Sequence, residues 1–72
     1  ERLELQINQI KDISVIQYLN SLERLSIENL ELESDQIKYI NSGINIEYLW
    51  CNKGFKDMSV LKQLNKNIKV YL

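Results

Sequence analysis

An α/β solenoid is the fold class this sequence predicts, with a parallel β-sheet along one side and irregular or 3₁₀-helical returns along the other. Three observations carry that expectation. The stretch IKDISVIQYLNSL, Ile10 to Leu22, comes back as FKDMSVLKQLNKN, Phe55 to Asn67, and a degenerate copy, SDQIKYINS, lies between them at Ser34 to Ser42. The two clear copies start 45 residues apart with a third between them, so the period is about 22 to 24 residues, the length of one supersecondary unit in a stacked array. Within a copy the apolar spacing changes from two to three, which is the change from an extended segment to a tight helical one.

In the first copy, Leu3 and Leu5 share one face of a strand because side chains alternate with period two. Ile13, Ile16, Leu19 and Leu22 then recur every three residues, the spacing that keeps one stripe of a 3₁₀ return inward. Ile16 and Leu19 are expected in the core shared between layers. Asn8 stands where the strand ends, and its amide can pair with main-chain groups of a tight turn. Asp12 and Asp57 precede the two clear returns, where a side-chain oxygen can accept from free N–H groups two or three residues on.

The second copy opens on Leu22, Leu25 and Ile27 and then departs from the first. Leu30 occupies the turn position with Asn29 one step early, and about two extra residues enter around Ser42-Gly43-Ile44-Asn45. The third copy opens on Ile46, Leu49 and Cys51 and runs one residue short through Asn52-Lys53-Gly54 to Phe55. Ile68-Lys69-Val70-Tyr71-Leu72 reads as the strand of a fourth copy. Residues 1–72 are therefore expected to form one domain of about three repeats plus a final strand.

Copy one fits LxLxxNxIxDIxxIxxLxxL without a gap, and in this it resembles the leucine-rich repeats of the internalin-like type. The resemblance implies that LxL is a strand, that the Asn closes a turn and that the DIxxLxxL piece is a loose helical return. It further implies a curved array with the sheet on the concave side and the returns on the convex side. Returns of this type often carry proline after the serine, whereas Val15 and Val60 stand at that position here. Valine keeps the apolar contact but adds an N–H that needs a partner and forgoes the stiffening of the unfolded chain. About function the resemblance says little, because this fold serves many unrelated binding roles.

Composition narrows the field. With 44% hydrophobic and 26% charged residues the chain is globular in character, yet it is small enough that stability must come from stacking. One cysteine, Cys51, cannot form an internal disulfide, and the absence of histidine removes the ordinary zinc cluster. The net charge of −1, with basic residues scattered among acidic ones, argues against nucleic acid or an anionic membrane as a partner. No apolar run reaches the length of a membrane span and no targeting signal is visible, and the lone thiol leans toward a reducing, cytoplasmic compartment. No cofactor is called for.

Candidate chemistry is sparse. There is no histidine for general-base work, no glycine-rich phosphate loop, and no nucleophile with a partner in sequence, so an enzyme is not expected. Cys51 falls on an inward position of its strand, where a thiol packs as a small apolar group. The acidic group Glu28, Glu31, Glu33 and Asp35 lacks the spacing and the glycine of a calcium loop and reads as a solvated turn.

The candidate surface is the sheet face. Residues flanking the inward leucines point away from the core and fall into columns: Arg2, Arg24 and Tyr48; Glu4, Ser26 and Trp50; Gln6, Glu28 and Asn52. Tyrosine, tryptophan and arginine are the types most enriched at energetic hot spots, so Tyr48 and Trp50 are the strongest functional signal in the chain. A competing register exists. Ile44, Ile46, Tyr48 and Trp50 also alternate, and a slip of one residue would bury the aromatics and expose Leu49 and Cys51.

The functional expectation is a protein-binding module working through that face. Its rivals are an architectural segment that spaces or curves a longer receptor, and a small inhibitor or immunity-type protein. Terminal strands without visible caps predict an excerpt of a longer array, or failing that self-association through open sheet edges, or else a monomer whose edges are blunted by charged side chains.

Overall fold

The computed structural model describes residues 3–6, 9–43 and 45–72, the first group by its backbone alone. Four strands, β1 (Leu3–Gln6), β2 (Leu22–Ser26), β3 (Tyr48–Trp50) and β4 (Lys69–Tyr71), form one open parallel sheet in chain order. Parallel neighbours cannot be joined by a two-residue turn, because the chain must travel back before it starts the next strand. Three short helical returns do this. The first is a 3₁₀ segment over Ser14–Tyr18, and the third is another over Met58–Gln63. The middle return starts as 3₁₀ over Ser34–Gln36 and continues as α1 (Ile37–Asn41). That α-helical turn departs from the expected irregular or 3₁₀ return, and it buries Ile37 and Ile40 at a spacing of three. Because α1 packs against both other returns, the three make a second layer beside the sheet.

The core lies between these layers. Ile13, Ile16, Leu22, Leu25, Ile27, Leu32, Ile40, Leu49, Cys51 and Phe55 are closed to water, and no buried polar or charged residue occurs among the described residues. Full burial of an aliphatic or phenylalanine side chain contributes roughly 1.5 to 3 kcal/mol against exposure, and Leu30, Ile37, Ile46, Val60, Leu64 and Ile68 extend the same core. Leu19 is a correction to the expectation of full burial: it is half-buried and packs at the margin of the core.

Leu22 and Leu25 are three apart in one strand, which strict alternation would send to opposite faces, yet both are buried. A bulge resolves the conflict. Leu3 lies opposite Leu22 while Glu4 lies opposite Arg24, so Glu23 is the extra residue that rotates the strand by half a pleat.

The turns stack as well as the strands. Asn29 and Lys53 adopt left-handed backbone, with φ of 65° and 56°, at the corresponding point after β2 and β3. The ladder runs through them: Asn29 N–H donates to Asn52 O at 2.9 Å, Leu32 N–H to Gly54 O at 2.8 Å, and Lys56 N–H to Leu32 O at 2.9 Å. Gly54 sits so close beneath this ladder that a Cβ would stand 3.0 Å from Ile27 Cγ1 and 3.1 Å from Cys51 O. The turn residue Asn8, and with it Arg2 and Ile44, lies outside the described residues.

Side-chain oxygens close the ends of the returns. Asp57 caps the third return as expected, its Oδ1 accepting from Ser59 N–H at 3.0 Å and from Ser59 Oγ at 2.6 Å; Asp12 Oδ1 accepts from Ser14 N–H at 2.9 Å, but the cap position of the first return is held by Ile13 without a side-chain bond. These bonds hold both carboxyls below the ordinary carboxylate range. Amides then tie return to return. Gln36 Oε1 accepts from Ile13 N–H at 2.8 Å, Asn41 Nδ2 donates to Gln63 O at 2.8 Å, and Asn41 Oδ1 accepts from Asn65 N–H at 2.9 Å. No helix among the described residues is long and apolar enough to cross a membrane.

Candidate binding surface on the open face of the sheet

In β3 the side chains settle the question of register. Leu49 is closed to water, while Tyr48 and Trp50 on either side of it are half-buried on the opposite face. The slipped arrangement, with Leu49 and Cys51 outward, is therefore not the one adopted. Cys51 is fully enclosed, and desolvation, followed by the nearby Glu28 carboxylate, pushes its thiol up to about 11. A thiol so far from ionisation is a packing group rather than a nucleophile.

Pairing then decides what stands beside the aromatics. Arg24, Tyr48 and Lys69 are opposite one another, and so are Ser26, Trp50 and Tyr71. The three rings stack across the strands: Trp50 and Tyr71 have centroids 5.2 Å apart at 19°, Tyr48 and Trp50 6.2 Å at 29°, Tyr48 and Tyr71 6.4 Å at 20°. Tyr48 is also flanked by two cations. The Arg24 guanidinium and the Lys69 ammonium each lie 5.4 Å from its ring centroid, within the range where the ring quadrupole attracts a positive charge. Arg24 Nε is covered and finds no acceptor among the described residues.

This geometry corrects the expected columns in the first strand. Glu4, not Arg2, lies opposite Arg24 and Tyr48, and Gln6, not Glu4, lies opposite Ser26 and Trp50. A shift of two residues keeps every side chain on its own face, so the alternating pattern alone is blind to it. The side chains of Glu4 and Gln6, and all of Arg2, lie outside what is described. Glu28 and Asn52 lie beyond the strand ends in the stacked turns and are exposed, with Ser26 Oγ 3.5 Å from Glu28 Oε1.

Lys69 and Tyr71 were missing from the expected surface. The fourth strand was legible, and carrying the same alternation one strand further would have placed both beside Tyr48 and Trp50. The charge pattern also differs from a scatter. Residues 1–45 hold four cations against eight anions, and residues 46–72 hold five against two, so the acidic and basic charge is polarised along the chain.

The acidic loop is solvated. Glu28, Glu31, Glu33 and Asp35 are all exposed, and Glu33 pairs with Lys56 at 3.3 Å. Among the described residues no three acidic or cysteine side chains gather as a metal site would require, and no pocket forms. What remains on the outer face of the sheet is an open platform of stacked aromatic rings with two cations beside it.

Set against family models, curated proteins and solved structures, the chain finds no match.

Proposed function

We propose that this chain is a leucine-rich-repeat segment that binds another protein through the outer face of its sheet, which in such an array is the concave side. The observation that carries the reading is the Tyr48–Trp50–Tyr71 stack with Arg24 and Lys69 beside it. These residue types contribute most per contact at protein interfaces because they withdraw large area from water and keep a polar handle. They are held by one another and by three strands, so little conformational freedom remains to be lost on binding. The reading assigns the face to recognition and no chemistry to it.

The test separates recognition from architecture. A partner captured by the wild-type chain is purified, and its affinity is measured for wild type, Trp50→Ala, Tyr48→Ala and a control on the acidic loop, Glu31→Ala. Trp50→Ala and Tyr48→Ala are expected to weaken binding by roughly 2 kcal/mol or more, with Glu31→Ala near wild type. A folded Trp50→Ala chain with unchanged affinity would leave the face an architectural element.

A further inference from the structure

The outer face of the sheet is ordered by charge as well as by shape. Its residues fall into rows across the strands, and each row lies two residues further along than the last. The first row holds Glu4, Arg24, Tyr48 and Lys69, and the second holds Gln6, Ser26, Trp50 and Tyr71. Both cations of the face are in the first row, with Glu4 at the far end of that row from Lys69. The second row is uncharged. Past it the stacked turns begin with Glu28, which is exposed and is tied to the face by Ser26 Oγ, 3.5 Å from its Oε1. Followed along β3, the face therefore passes from two cations over stacked rings to an anion.

This order is set by the pairing of β2 with β3 and of β3 with β4, so a further strand at either edge of the sheet would leave it unchanged. Its charges are also available. Among the residues whose side chains are described, the one ion pair joins Lys56 to Glu33, so Arg24, Lys69 and Glu28 each stand without an opposite charge at ion-pair distance. Arg24 and Lys69 lie against the Tyr48 ring, 5.4 Å from its centroid, and a guanidinium or ammonium held this way keeps N–H groups for a carboxylate. Spacing matters as much as sign. Two residues of a parallel strand span about 6.6 Å, and the Tyr48 and Trp50 centroids are 6.2 Å apart. An extended peptide laid along β3 presents its alternate side chains at the same interval.

Resting on the reading that this face binds a protein, we infer that its occupant is an extended segment carrying an acidic, an apolar and a basic residue at successive alternate positions. The carboxylate meets Lys69 and Arg24, the apolar side chain lies on Trp50 and Tyr71, and the basic side chain meets Glu28. Turning the segment end for end would set like charges together, so the order of charge fixes which end lies where. The segment sits on the face and pairs with no strand. Its chain direction is therefore free, and only the order of its side chains is recognised.

Synthetic peptides titrated into the chain test this. One carries glutamate, leucine and lysine at alternate positions with serine between them, and in three others glutamine replaces the glutamate, the lysine or both. Trp50 is the one tryptophan of the chain, so its emission reads occupancy of the face. Each single replacement by glutamine is expected to weaken binding roughly two- to fivefold, as the loss of an exposed ion pair does, and high salt should erase the differences. Variants of the chain then locate each contact. In Lys69→Gln the peptide's glutamate should matter less and its lysine as before, and in Glu28→Gln the reverse. Circular dichroism checks the fold, and Lys69→Met and Glu28→Ser replace a variant that unfolds. Equal affinity for all four peptides, each weakened by Tyr71→Ala, overturns the inference and leaves the face a binding surface for apolar segments. Emission unmoved by every peptide at millimolar concentration overturns the inference alone, because the affinity of the captured partner for Trp50→Ala judges the reading beneath it. Oligothymidylate that shifts the emission at lower concentration than any peptide overturns both, since rings flanked by cations also hold single-stranded nucleic acid.

Discussion

The first and third returns carry almost the same residues and bury opposite halves of them. Ile13 and Ile16 are inside in one, Val60 and Leu64 in the other, while in both an aspartate accepts from the N–H of the serine two residues on. What differs is the side on which α1 lies. Burial in a layered array is therefore a property of the neighbour as much as of the residue, and a repeat pattern shows which positions can be inward without saying which of them will be. The return between them, α1, packs against both and buries Ile37 and Ile40.

The largest expected effect breaks the comparison at the fully buried Ile16. Ile16 is 1% exposed, so Ile16→Ala should cost on the order of 2 to 5 kcal/mol, comparable with the whole margin of so small a domain. Leu61, at the equivalent place, is half-buried, and Leu61→Ala should cost about half as much or less. Thermal or urea unfolding of the two variants decides it. Equal losses would mean that the two returns are equally packed and that the reciprocal burial is wrong.

A milder pair runs the comparison in the opposite direction. Val60→Ala should destabilise by roughly 1 to 3 kcal/mol, whereas Val15→Ala, already half in water, should stay within about 0.5 kcal/mol of wild type. The sign of the difference matters more than its size, because the first pair places the larger loss in the first return and this pair places it in the third. Should Val15→Ala prove the more damaging, the first return packs against something on its outer side.

How far this was legible in the sequence follows from the same physics. The inward set of β3, including Cys51, and the outward Tyr48 and Trp50 follow from alternation combined with the repeat, which rejects the slipped register that alternation alone allows. The aspartate turns follow from local chemistry, since donor and acceptor are two residues apart. The bulge at Glu23 does not, because a single extra residue is visible only as Leu22 and Leu25 lying three apart, a spacing that helical and bulged strands share. The pairing of Glu4 with Arg24 was hidden because a shift of two residues costs no change of face. Leu19 was placed in the core because its own copy is apolar there, and only the position of α1 shows that it lies at the margin. Lys69 and Tyr71 are legible too, since the alternation of the fourth strand, carried across one more pairing, places them beside Tyr48 and Trp50.

The smallest expected effect separates two turns that otherwise look alike. Asp57 accepts from the Ser59 hydroxyl at 2.6 Å and from Ser59 N–H, and the hydroxyl bond is the leading cause of its lowered pKa. For Asp12 the leading cause is the backbone N–H of Ser14, with the hydroxyl second. Both carboxyls are lowered from 3.8 in the folded chain, so the stability they contribute is fully present above their unfolded pKa and is lost as pH falls through the folded values. The melting temperature should therefore fall below about pH 4 rather than on the alkaline side. Deleting the hydroxyl should then act unequally. Ser59→Ala is expected to raise the Asp57 pKa more than Ser14→Ala raises that of Asp12, since the main-chain bond survives in both variants while the stronger side-chain bond is lost only in the third return. Carboxyl carbon shifts followed by NMR titration read this directly for each residue. Equal shifts for the two variants, or an Asp57 that titrates at its ordinary value in the wild-type chain, would show that the two turns are held alike and that the difference between the returns stops at their apolar side chains.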